Sequence, residues 1–172
     1  MICNVHQRTL PVPVAEAGFL IDDLAGPNDR LWPSDRWPAM RFDRPLQAGA
    51  RGGHGPIRYA VSAYVPGRHI QFTFTGRDID GFHELELIEG GPEHCVLRHT
   101  LMAHASGSLK IVFPLVVEPL HDACVRDLLD RAEAATGGAA ARRPHSAAVR
   151  LRRAALGLLW PRRALSLTPR AG

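Results

Sequence analysis

Between residues 57 and 113, apolar and polar side chains alternate in short runs, and each run closes on a turn signal. Ile57 to Val65 stops at Pro66-Gly67, and His69 to Thr75 at a turn ending on Gly81. Phe82 to Ile88 stops at Gly90-Gly91-Pro92, and His94 to Ala103 at Ser106-Gly107-Ser108. Leu109 to Phe113 reads as a last strand. A period of two sends successive side chains to opposite faces of a strand. Strands repeated at this spacing with short turns predict an antiparallel meander.

The segments around the meander read differently. Asn4 to Leu10 is strand-like, and Val14, Ala17, Leu20, Ile21 and Leu24 share one helix face. Gly26-Pro27 stops that helix, because proline cannot continue the hydrogen-bond ladder. Two Trp-Pro pairs follow, Trp32-Pro33 and Trp37-Pro38, whose indoles are expected to anchor a stiff loop in the core. Arg41 to Leu46 is a further strand candidate, and Ala48 to Pro56 reads as a glycine-rich loop. That loop lacks the Lys-Ser/Thr ending of a phosphate loop. After the meander comes the longest helical pattern, with Val117, Leu120, Cys124, Val125, Leu128 and Ala132 on one stripe. Pro119 fits its first turn, where a missing N–H costs nothing.

Alternation also sorts the two faces of the sheet. Ile57, Tyr59, Val61 and Ala63 fall on one face, as do Ile70, Phe72 and Phe74. His83 falls with Leu85 and Leu87, opposite Glu84 and Glu86. His99 falls with Leu97 and Leu101, opposite Arg98 and Thr100. The charged face takes the water, so the histidines point inward. His121 lies on one line with Val125 and Leu128 and also turns inward, in the first turn of its helix, where the dipole disfavours imidazolium. Three readings remain open for these imidazoles. They are bonded within the core, they form the polar patch of a ligand cavity, or they hold a metal. The third lacks a His-Glu-x-x-His or any short histidine pair, so neither metal nor cofactor is expected.

Charge is divided along the chain. The net +4 of the 172 residues averages 13 basic and 17 acidic side chains in residues 1–137 with 8 arginines and no acid in residues 138–172. Thr136-Gly137-Gly138 marks the boundary between an acidic folded domain, 1–137, and a basic tail, 138–172. In the tail, Pro144 to Trp160 can form a helix with Ala148, Leu151, Ala155, Leu158 and Leu159 on one side and Arg150 and Arg153 on the other. A disordered solubilising tail or a basic amphipathic helix on an anionic membrane surface both fit this pattern. No aromatic-basic surface accompanies the arginines, so no specific nucleic-acid partner is expected. Cys3, Cys95 and Cys124 are too few and too widely spaced for a disulfide framework, which suits a reducing cytoplasm. Met1 to Leu10 does not read as a leader, and no apolar run is long enough for a membrane span.

With these elements in order, residues 3–137 resemble the helix-grip superfamily of START domains, polyketide cyclases and coenzyme Q-binding proteins (SRPBCC). The resemblance rests on Asn4 to Leu10 and Pro13 to Leu24, on Leu31-Trp32-Pro33 with Trp37-Pro38, and on the run Gly53 to Tyr59. Tyr64-Val65-Pro66-Gly67-Arg68, Gly81-Phe82-His83 and Pro119-Leu120-His121-Asp122 complete it. It implies an α+β helix-grip fold: a curved antiparallel sheet wrapped around a long C-terminal helix, with an internal hydrophobic cavity. The candidate lining is His83, His99, His121, Tyr59, Phe72, Phe74, Leu85, Leu97, Cys124 and Leu128, with His54 as candidate gate in the glycine-rich loop. The expected function is binding or carriage of a small hydrophobic molecule, lipid, polyketide or quinone-like. One alternative is a polyketide cyclase or dehydratase-like enzyme using the histidines as acid and base. The other is a membrane-surface adaptor acting through the tail. No catalytic residue is identifiable.

Overall fold

The computed structural model describes residues 1–140 and 143–159, the last four through the backbone alone. Seven strands make one curved antiparallel sheet: β1 (Ile2–Leu10), β2 (Arg41–Phe42), β3 (Arg51–His54), β4 (Ile57–Val65), β5 (His69–Phe74), β6 (Ile79–Glu89) and β7 (Cys95–Ala105). Their order is β1-β7-β6-β5-β4-β3-β2. The meander is thus present, and β1 returns to pair with its last strand. The helical segments are α1 (Val14–Ala17), α2 (Phe19–Asp22), α3 (Leu109–Val112), a π-helical turn (Phe113–Val117), α4 (Glu118–Ala135) and α5 (Ala147–Leu159). None of the described helices is long and apolar enough to cross a membrane.

One continuous core joins Leu10, α1, α2 and Trp32 to the inward residues of β4 to β7 and to Cys124, Val125, Leu128, Leu129 and Ala132 of α4. The Trp-Pro loop anchors as its indoles suggest. Trp32 is buried and donates Nε1–H to the Pro38 carbonyl at 3.0 Å. Trp37 donates to Asp127 Oδ2 on α4 at 2.7 Å.

Four local expectations are corrected. Leu109 to Phe113 is helical rather than a strand. β1 already pairs with the other edge of β7, so the segment after β7 cannot extend the meander beside it. The glycine-rich segment is not a loop throughout, since Arg51 to His54 form β3. Its glycines permit close backbone approach: a Cβ on Gly53 (φ +154°) would lie 1.9 Å from the Ile57 carbonyl oxygen. Ala63 leaves the inward face, because a bulge between Val61 and Ala63 shifts the register and pairs Tyr64 with Ile70. Arg41 to Leu46 contributes only the two residues of β2.

The described part of the basic segment lies against the domain. Val149 is buried with Leu120 and Ala123 of α4. His145 Nε2 meets Asp127 Oδ2 at 2.8 Å, Arg152 bonds the Leu115 carbonyl, and Arg153 bonds the Arg36 carbonyl. The apolar side expected of α5 is turned outward, with Ala148 and Ala155 exposed and Leu151 72% exposed. The side chains of Leu158 and Leu159, and Trp160 with all that follows, lie outside the described residues.

Candidate functional site

The concave face of the sheet is built by alternation. β7 presents Leu97, His99 and Leu101, β6 presents His83 and Leu85, and β5 presents Ile70, Phe72 and Phe74. Register then sets neighbours: Phe72 pairs with His83, His83 with Leu101, Leu85 with His99, and His99 with His6. Every residue of the expected lining lies on this face or on the side of α4 above it. Tyr59, Phe72, Leu85, Leu97, Cys124 and Leu128 are buried in the core, with Phe74 packed against it.

The histidines do converge. Ring centroids are 5.7 Å apart for His83 and His99, and 5.0 Å for His99 and His121. His83 is walled by aromatic rings, with Phe72 stacked at 4.8 Å, Phe74 at 5.3 Å and Tyr59 edge-on at 4.8 Å. Tyr59 continues the row, its hydroxyl 3.0 Å from Nδ1 of His54. His54 is therefore the last residue of a strand, packed 4.7 Å from the Trp32 ring, rather than part of a mobile loop.

His83 Nε2, His99 Nδ1 and His121 Nδ1 are buried and have no hydrogen-bond partner. Such atoms are exceptional in folded proteins, and each costs about 1–3 kcal/mol relative to a bonded one. Burial disfavours the charged ring, so His83 and His99 are held well below 6.5, and His54 down to about 3. The His54, His83 and His99 rings are neutral imidazoles, each offering one donor and one acceptor. Burial also pushes the Cys124 thiol well up, so this cysteine stays a protonated packing group.

The helix-terminus setting expected for His121 does not hold. The π-helical turn runs straight into α4, and the Glu118 N–H is bonded to the Phe113 carbonyl. His121 therefore does not sit at a free helix N-terminus.

Phe42 stacks on Phe72 at 5.7 Å and Tyr59 packs on Phe72 at 5.0 Å, so aromatic rings crowd this end of the face. Depressions of the described surface open elsewhere, one beside Asp35, Arg36, Arg143 and Pro144.

Three functional-looking residues escape the inward-face reading of the meander. β1 turns Asn4, His6 and Arg8 toward α4. Arg8 bonds Asp130 at 2.8 Å and also Glu133, while His6 Nε2 and Asn4 Nδ2 meet Asp122 Oδ1 at 3.1 and 2.8 Å. The signal lay in β1 itself, where every second residue before Leu10 is polar and able to bond.

No family model matches the chain, and no curated protein matches it. Solved structures do. CalU16 from Micromonospora echinospora is 17% identical with a TM-score of 0.56, over 92% of this chain and 85% of its own. That span exceeds what residues 1–137 alone supply. Norcoclaurine synthase from Thalictrum flavum, solved with dopamine and hydroxybenzaldehyde, is 14% identical with a TM-score of 0.55, over 74% and 83%. A solution structure from Thermobifida fusca is 16% identical with a TM-score of 0.54, over 77% and 93%. At these identities the likeness is one of architecture alone: the chain has the helix-grip fold, and its chemistry has to be read from its own residues.

Proposed function

We propose that the protein binds a small, mostly apolar molecule bearing carbonyl or hydroxyl groups, of the lipid, polyketide or quinone-like kind, against the concave face of its sheet. The observation that carries this reading is the set of unpartnered buried nitrogens on His83, His99 and His121 among aromatic and aliphatic walls. A pocket of this type is apolar with a few placed polar groups. A ligand oxygen bonded to these nitrogens removes the cost of leaving them unsatisfied. The ligand displaces rings to enter, Phe72 and Phe42 first, because they stack across the face. The fold neighbour norcoclaurine synthase has been solved with two small hydroxylated aromatic molecules, which agrees with this ligand chemistry.

Native mass spectrometry of the intact purified protein, followed by solvent extraction, tests the proposal. An adduct that releases a small apolar compound is expected. Absence of an adduct, together with no uptake of a hydrophobic fluorescent probe, rules the reading out.

A second reading, a cyclase or dehydratase-like enzyme, draws on the neutral state of the buried rings, which are basic nitrogens at neutral pH. It predicts that His83→Ala, His99→Ala or His121→Ala abolishes turnover of a cyclic carbonyl substrate while the protein still folds. Unchanged turnover in all three variants removes it.

A further inference from the structure

We propose that His6, His121 and Asp122 bind one divalent transition-metal cation of the zinc type, at the seam between β1 and α4. The three residues bring one ligand atom each to within 4.8 Å of one another. His6 Nε2 is 3.1 Å from Asp122 Oδ1, and His121 Nδ1 is 3.7 Å from the same oxygen. Zinc bonds of about 2.0–2.2 Å in tetrahedral geometry hold neighbouring ligand atoms roughly 3.4 Å apart, and the two distances bracket that spacing.

The His121 nitrogen sets this cluster apart from the other histidine-carboxylate pairs. His145 meets Asp127 at 2.8 Å and offers its second nitrogen to Arg153, so both ring atoms are satisfied. His121 Nδ1 is buried and makes no hydrogen bond of ordinary length, with Asp122 Oδ1 facing it at 3.7 Å. A cation between the three atoms satisfies it. Asn4 Nδ2 donates to Asp122 Oδ1 at 2.8 Å and orients the carboxylate, as partners behind a metal ligand commonly do. The amide oxygen of Asn4 is buried and also unpartnered, a fourth polar atom at the same seam.

Two imidazoles and one carboxylate form a borderline-soft set that suits zinc or its neighbours rather than calcium or magnesium. Three protein ligands leave a coordination position open, which is the form of reactive rather than purely structural sites. His121 is 5.0 Å from His99 between ring centroids, so the cation sits at the end of the histidine row. This inference does not depend on the ligand reading above, which still stands on His83 and His99 when the cation takes the His121 nitrogen.

The test uses the full chain, stripped with a chelator and titrated with Co2+ by visible absorption and with Zn2+ by calorimetry. One equivalent of Co2+ is expected, displaced by Zn2+. His6→Ala and Asp122→Asn each weaken binding at least about tenfold, and His94→Ala, an exposed histidine elsewhere, leaves it unchanged. No saturable binding, or binding that survives both substitutions, overturns the proposal. Because a variant can fail to fold, histidine-ring NMR of the unaltered protein gives a second readout. Co2+ broadens the His6 and His121 signals first if the site is correct; earlier broadening of His94 or His104 overturns it.

Discussion

Asp127 is a buried carboxylate that gathers three side-chain partners. It accepts from Trp37 Nε1 at 2.7 Å and from Arg36 Nη1 at 2.8 Å, with His145 Nε2 at 2.8 Å. Removing it strands three polar groups at once. Asp127→Ala is expected to cost about 3–5 kcal/mol of stability in urea unfolding, the range for breaking a buried pair from one side. A cost under about 1 kcal/mol in that measurement would falsify the account of this hub. The buried rings make a separate prediction about pH. The unfolded chain takes up protons on His54, His83 and His99 as pH falls through 6.5, whereas the native rings, held lower by burial, do not. Native stability therefore falls with pH below that value, by up to about 1.4 kcal/mol per pH unit for each ring. Urea midpoints from pH 7.5 to pH 5 measure the slope, and a flat profile contradicts it. Asp122 acts in a lower window. The His121 imidazole, with Asn4 and His6, holds its carboxyl below the usual carboxylate range, so its contribution is present above 3.8 and is lost as pH falls below that.

Among the elements, β3 shows why glycine is ambiguous in a sequence. The same residue serves loops and close-packed strands, and only the partner strand distinguishes them. Gly53→Ala is expected to destabilise by roughly 1–3 kcal/mol or more, because its Cβ collides with the Ile57 carbonyl at a positive φ. Thermal unfolding of the variant with an unchanged midpoint would show that the β3–β4 hairpin relaxes freely. The strands β4 to β7 were legible from alternation alone, because alternation is a local consequence of the pleat. The bulge at Val61 and Ala63 was not legible, since it depends on the register against β5. Which side of α5 docks was not legible either. A helix face can be apolar without being the face that docks, and here Val149, Arg152 and Arg153 make the contacts.

At the scale of the whole molecule, the described part of the basic segment shares a buried cluster with α4. Val149→Asp places a charge between Leu120 and Ala123 and is expected to cost about 1–3 kcal/mol while keeping a single unfolding transition. A second, separate transition in calorimetry would instead mark residues beyond 137 as an independent unit. What the sequence determined by itself is the sheet, the long helix, the inward histidines and the unequal charge. Each of these follows from local spacing or from counting. Only the tertiary structure decided that His6 meets Asp122 across 116 residues, that Phe42 stacks on Phe72, and that arginines hold α5 in place. Those outcomes depend on how the curved sheet closes on α4, and contacts between distant segments leave no period in the chain.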